Sequence, residues 1–117
     1  MDISKDTIVE IEQDGTEEVG AYVHVFKKPF EYQGKSYDQL TFDFGSLTGR
    51  DSLAIENELQ ALGKMVLSPE FSGEFLIRMA ARACTENVGS DAMEQMPMRD
   101  YNRIRSQARS FLLRSGS

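Results

Sequence analysis

The sequence predicts an α+β fold: a small N-terminal antiparallel β-hairpin or meander followed by a bundle of three to four α-helices. Two observations carry this. Apolar residues alternate with period 2 between Tyr22 and Phe44, and beyond Gly45 they recur at helical spacing. Strands first and helices after is the order of α+β rather than alternating α/β chains. With 117 residues the chain is long enough for one domain. Residues 1–20 read as an acidic arm, 21–114 as a single α+β domain and 115–117 as a loose tail.

Within the arm, Thr7 to Ile11 has β-branched character and fits either a short strand or a flexible segment, and Asp14-Gly15 is a turn signal. Tyr22, His24 and Phe26 share one strand face and Val23 and Val25 the other, so this strand is expected to be covered on both sides. Pro29 has no N–H to donate and belongs at an edge or strand end. Gly34 can supply the positive φ of a short loop after Tyr32. Leu40, Phe42 and Phe44 alternate with Thr41 and Asp43 as a half-buried strand.

Thr48 followed by Asp51 is a candidate capping box. Ile55, Leu59, Leu62 and Val66 form the first helical stripe. Ser68-Pro69 predicts the next helix start, with Pro at its first position. Phe71, Phe75, Leu76, Met79, Ala80 and Ala83 make the second stripe, which Asn87 to Gly89 ends. Ser90-Asp91 opens a short third helix through Met96, and Pro97 interrupts the path. Tyr101, Ile104, Ala108, Phe111 and Leu112 form the last stripe, with arginines on its other face.

Charge is uneven. Residues 1–20 carry seven acids and one lysine, residues 21–97 eleven acids and seven bases, and residues 98–117 five arginines and one aspartate. An acidic head and a basic tail can attract each other within a chain or between copies. Arg99, Arg103, Arg105, Arg109 and Arg114 raise the question of nucleic acid, but a whole-chain pI near 4.8 opposes binding by phosphate neutralisation. The N-terminus has no basic start followed by an apolar run, and no stretch reaches the 20 or so apolar residues of a membrane span. A cytoplasmic protein with no membrane partner is expected.

The chemistry-bearing residues are few. One histidine, His24, and one cysteine, Cys84, cannot assemble a zinc site or an internal disulfide. Gly45-Ser46-Leu47-Thr48-Gly49-Arg50-Asp51 lacks the Gly-Lys-Ser/Thr ending of a phosphate loop. No metal, no cofactor and no enzymatic activity are expected. Met93, Met96 and Met98 cluster around Pro97 and fit either gap-filling in the core or an adaptable binding surface.

From Lys28 the order of features resembles the tail assembly chaperones of Mu-like and lambda-like tailed bacteriophages and prophages. Lys28-Pro29-Phe30-Glu31-Tyr32-Gln33-Gly34-Lys35-Ser36-Tyr37 is similar to their opening, and Leu40-Thr41-Phe42-Asp43-Phe44 to the strand that follows. Leu47-Thr48-Gly49-Arg50-Asp51 resembles the start of their first helix. Met96-Pro97-Met98-Arg99-Asp100 is similar to the step before their last helix. The resemblance spans about residues 22–114; the acidic first 20 residues depart from it. It implies a non-catalytic protein that binds the long helical tape measure protein, keeps it soluble, helps tail tube subunits assemble and is left out of the finished virion. Self-association and contact with the tail tube protein are further expectations. Partner contacts are expected at Met93, Met96, Met98, Arg99, Arg103, Phe111 and Leu112. The rival readings are a tail component retained in the particle and a small regulator binding nucleic acid through the last helix.

Overall fold

The computed structural model describes residues 20–115. The expectations for Thr7 to Ile11, for the rest of the arm and for residues 116–117 lie outside that range. The fold is α+β. An antiparallel hairpin of β1 (Ala21–Tyr32) and β2 (Lys35–Asp43) leads through a 3-10 turn (Phe44–Ser46) into α1 (Gly49–Ala61). A second 3-10 turn (Pro69–Phe71) precedes α2 (Gly73–Ala83), then α3 (Ser90–Glu94) and α4 (Met98–Ser115).

The strands meet at Gln33 and Gly34, with φ of 51° and 79°. Two consecutive positive φ values give the turn that matches strand twist, and glycine takes one of them without steric cost. The register runs Ala21↔Asp43 to Val25↔Gln39, slips, and resumes at Phe30↔Tyr37. The slip places Lys27, Lys28 and Pro29 in a bulge on β1, where a residue without an N–H breaks no ladder bond. Phe26 and Phe30, four apart, share the inner face with their rings stacked at 5.5 Å, while Lys28 between them, which regular alternation would also turn inward, is exposed at the bulge. Val25, 62% exposed, and Val23 face outward, so among the described residues nothing covers the second face of β1. The expectation of a strand covered on both sides is thereby corrected for these residues.

The inner face of β2 supplies Leu40 and Phe42, and the 3-10 turn that follows supplies Phe44, all buried. Opposite them lies α2, which buries Phe75, Leu76, Ile77, Met79, Ala80 and Ala83 and touches α1, α3, α4 and β2. Past Ala83 the chain straightens: Cys84 forms a single bridge with Phe42, and Thr85 donates its N–H to the Thr41 carbonyl at 2.9 Å. Among the described residues this bridge is the one β pairing that reaches beyond residue 45. Asn87 then turns the chain with φ 61°.

Several helix boundaries differ from expectation: α2 ends at Ala83, ahead of Asn87, α3 ends at Glu94, ahead of Met96, and the end of α1 and the start of α2 also move. The capping residues of α1 are as expected: the Thr48 N–H donates to Asp51 Oδ2 at 2.8 Å. Its end comes earlier. Gly63 takes φ 75°, Gly63 N–H donates to the Gln60 carbonyl, and Lys64 N–H donates to the Leu59 carbonyl. This pair of bonds is the Schellman stop, which glycine serves because it has no Cβ to clash. Ile55 and Leu59 are buried, whereas Leu62 and Val66 fall off the stripe. The Ser68-Pro69 signal starts only the 3-10 turn; α2 begins one turn later, where Ser72 Oγ accepts from Phe75 N–H at 3.1 Å. Phe71 is therefore outside the helix and outside the core.

Candidate partner-binding surface

The residues expected to contact a partner separate into three groups. Met93, on α3 where it packs on α2, and Met96, just past its end, are both buried in the core. An adaptable surface made of all three methionines is thus corrected: only Met98, 76% exposed, faces outward. Phe111 and Leu112 are half-buried against the core, and the Phe111 ring stacks on Phe44 at 5.7 Å. Arg99 and Arg103 are exposed on α4.

The apolar side chains that do face outward sit elsewhere. In the connection between α1 and α2, Leu62, Met65, Leu67 and Phe71 are all well exposed, Leu67 at 86% and Met65 at 82%. Sequence reasoning missed this segment by running the first stripe across Gly63; the signal that would have found it is the glycine itself. Val66 packs inward against the core and anchors the loop. Lys64 pairs with Glu74 of α2. Arg109 of α4 donates Nε–H to the Glu70 carbonyl at 3.0 Å, and its guanidinium lies 5.0 Å from the centre of the Phe71 ring. The segment is thus an apolar ridge held at both sides by charged side chains. Four apolar side chains left in water over ten residues is the kind of surface that marks a contact site.

A second feature joins β1 to α4. His24 Nε2 lies 2.7 Å from Asp100 Oδ1, and His24 Nδ1 lies 2.8 Å from the Tyr22 hydroxyl. His24 and Asp100 are both buried, and the Phe26 ring meets His24 edge-on at 4.8 Å. With the Tyr22 hydroxyl donating to Nδ1, the proton sits on Nε2 and is donated to the carboxylate. Burial lowers the pKa of His24 below the usual 6.5, although the Asp100 hydrogen bond and charge act the other way. Asp100 also stands in the first turn of α4, where the helix dipole favours a negative charge. A hydroxyl, an imidazole and a carboxylate in line can move protons. Here the imidazole is enclosed, so the row acts as a polar tie between the hairpin and the last helix. Sequence reasoning put His24 on a strand face with Tyr22 and Phe26 and gave it no metal, but did not pair it with Asp100, 76 residues away.

Two further titratable groups, Cys84 and Asp51, have structural surroundings. Burial pushes the Cys84 thiol up, which disfavours the nucleophilic thiolate. The Thr48 N–H and then Arg82 hold Asp51 below the usual carboxylate range. Among the described residues no group of three or more His, Cys, Asp and Glu could hold a metal ion, and no helix is long and apolar enough to cross a membrane. A groove of about 290 Å³ between α2, α3 and α4 is lined by Gly73, Glu74, Ile77, Arg78, Ser90, Glu94 and Tyr101. Comparison with family models, curated proteins and solved structures gives no match.

Proposed function

We propose that this protein is a non-catalytic binding protein that covers apolar helical segments of a partner, acting as a phage tail assembly chaperone for the tape measure protein. The observation that carries the reading is the exposed ridge of Leu62, Met65, Leu67 and Phe71, rimmed by Lys64, Glu70 and Arg109. A partner that is a long helix offers no small ligand to enclose. It offers a stripe of side chains, and such a stripe is received by an apolar surface with a charged border. The border sets orientation and association rate more than affinity. Leucine and methionine suit the role because they adapt to side chains of differing shape. The order of motifs from Lys28 to Asp100 supports the specific partner. The ridge, with Met98 beside Arg99 and Arg103, takes the place of the Met93 and Met96 surface.

The test is co-expression with a tape measure protein from the same genome. Replacing Met65, Leu67 and Phe71 together by serine is expected to abolish co-purification and leave the tape measure protein insoluble. If that variant stays folded and solubilises the partner as well as the unaltered protein does, the ridge is not the contact surface and the reading falls.

A further inference from the structure

We propose that the acidic N-terminal segment, residues 1–19, docks on the arginine row of α4 in the same chain. Three observations lead there, and none depends on the apolar ridge.

The first is a set of charges without partners. Arg99, Arg103 and Arg114 are exposed, and at 100° per residue they share one strip of α4 with Ser106 and Ser110, opposite Ile104 and Ala108. Several other surface cations are matched: Lys64 with Glu74, Arg78 with Glu58, and Arg82 with Asp51 and Glu58; among the described residues Lys27, Lys28, Lys35 and Arg50 are also exposed without an ion pair, but they lie apart on the hairpin and at the start of α1. Among the described residues none of Arg99, Arg103, Arg105 and Arg114 has a carboxylate within ion-pair distance.

The second is where the segment joins the fold. Gly20 accepts a hydrogen bond from Gly45 N–H at 3.1 Å, and a Cβ placed on Gly20 would lie 3.4 Å from the Phe111 ring. Gly20 therefore lies beside the C-terminal half of α4, and the segment is tethered there. Nineteen residues reach about 60 Å when extended, whereas the 18 residues of α4 span about 27 Å. The whole row is within reach. Gly20 itself has φ 75°, so the chain can bend sharply at the junction.

The third is charge complementarity. Residues 1–19 carry Asp2, Asp6, Glu10, Glu12, Asp14, Glu17 and Glu18 against Lys5 alone. Residues 21–97 are themselves net acidic and repel them, so α4 is the region of the chain that attracts them. Each exposed ion pair contributes only about 0–1 kcal/mol, but tethering holds the local concentration of the segment near the millimolar range. The contact is therefore weak, multiple and displaceable. It shields the row from outside polyanions, and a strongly acidic partner would compete with it.

The test uses the full chain with a nitroxide spin label on Gln13→Cys, which removes no charge; Cys84 is buried and stays unlabelled. Amide signals of α4 from Arg103 to Arg114 are expected to be lost selectively in dilute solution. They should return at about 1 M salt, where the Debye length is about 3 Å, and in the variant R99E/R103E/R114E. If the triple variant does not fold, the salt series on the unaltered arginines decides. Loss spread evenly over the molecule, or no loss on α4, overturns the proposal. So does loss seen only when spin-labelled copies are mixed with isotope-labelled ones, which makes a second copy the occupant.

Discussion

Two neighbouring stretches of similar apolar content meet opposite fates. In α2, Phe75, Leu76, Ile77, Met79, Ala80 and Ala83 are buried. In the eleven residues before it, Leu62, Met65, Leu67 and Phe71 stand in water while Val66 turns inward. Composition does not separate them. Geometry does: α2 is a continuous helix, so residues three and four apart fall on one face and pack together. Between Gly63 and Ser72 no regular period exists, so each side chain is placed by its own turn. An apolar residue is buried when the backbone carries it to the core, and the preceding connection does not.

The sharpest test of this contrast is Phe75→Ala, at the centre of the buried face. A loss of about 3–5 kcal/mol is expected, read as a lower urea midpoint with unchanged slope. A loss under about 1 kcal/mol would mean that the α2 face is loosely packed and the contrast overstated.

Next comes the polar tie. His24→Ala leaves the buried Asp100 carboxylate without its imidazole partner, a cost of about 2–3 kcal/mol. The tie also has a pH signature. Because His24 holds its proton less readily folded than unfolded, the unfolded chain binds more protons below pH 6.5. Stability is therefore fully present above 6.5 and falls as pH drops from there towards the lower folded value. Urea melts at pH 7.5 and at successive lower pH values should show this slope, and His24→Ala should lack the histidine part of it. An identical slope in the variant would remove the tie from the account.

Gly63→Ala puts a Cβ at φ 75° and is expected to cost about 1–2 kcal/mol. A stabilised variant with a longer helix by circular dichroism would show that the stop at Gly63 is weak, and that the connection could be recruited into α1. Smallest of all is the effect of Met65, Leu67 and Phe71 to serine on stability, about 0.5 kcal/mol or less per site. A large loss there would place the ridge in the core and erase the difference between the two stretches.

Much of the fold was legible because its signals are local. The turn glycine Gly34, the alternation of Leu40, Phe42 and Phe44, the Thr48 and Asp51 cap and the stripe of α2 each lie within a few residues. The errors came where two local signals competed. Gly63 stops a helix whose apolar spacing continues to Val66, and the backbone term won. Ser72 beat Ser68-Pro69 as the cap because its hydroxyl reaches the Phe75 N–H. The candidate site was far less legible. Burial of Met93 and Met96 depends on how α3 sits on α2, and the pairing of His24 with Asp100 joins residues far apart in sequence. Neither leaves a pattern along the chain. Val23 and Val25 show the same limit: alternation gives the two faces of a strand but not what covers each.

The bulge at Lys27, Lys28 and Pro29 has a further consequence, for the protein at high concentration. A hairpin displays backbone donors and acceptors along its rims, and a straight rim is a template on which another hairpin can add. Here the rim of β1 is regular only as far as Val25, then crosses two lysines and a residue with no N–H, and resumes at Phe30. An incoming strand would have to break its own ladder at that point and bring its charges against two ammonium groups. The same bulge that keeps Lys28 out of the core between Phe26 and Phe30 therefore also guards the hairpin against stacking edge to edge into fibres.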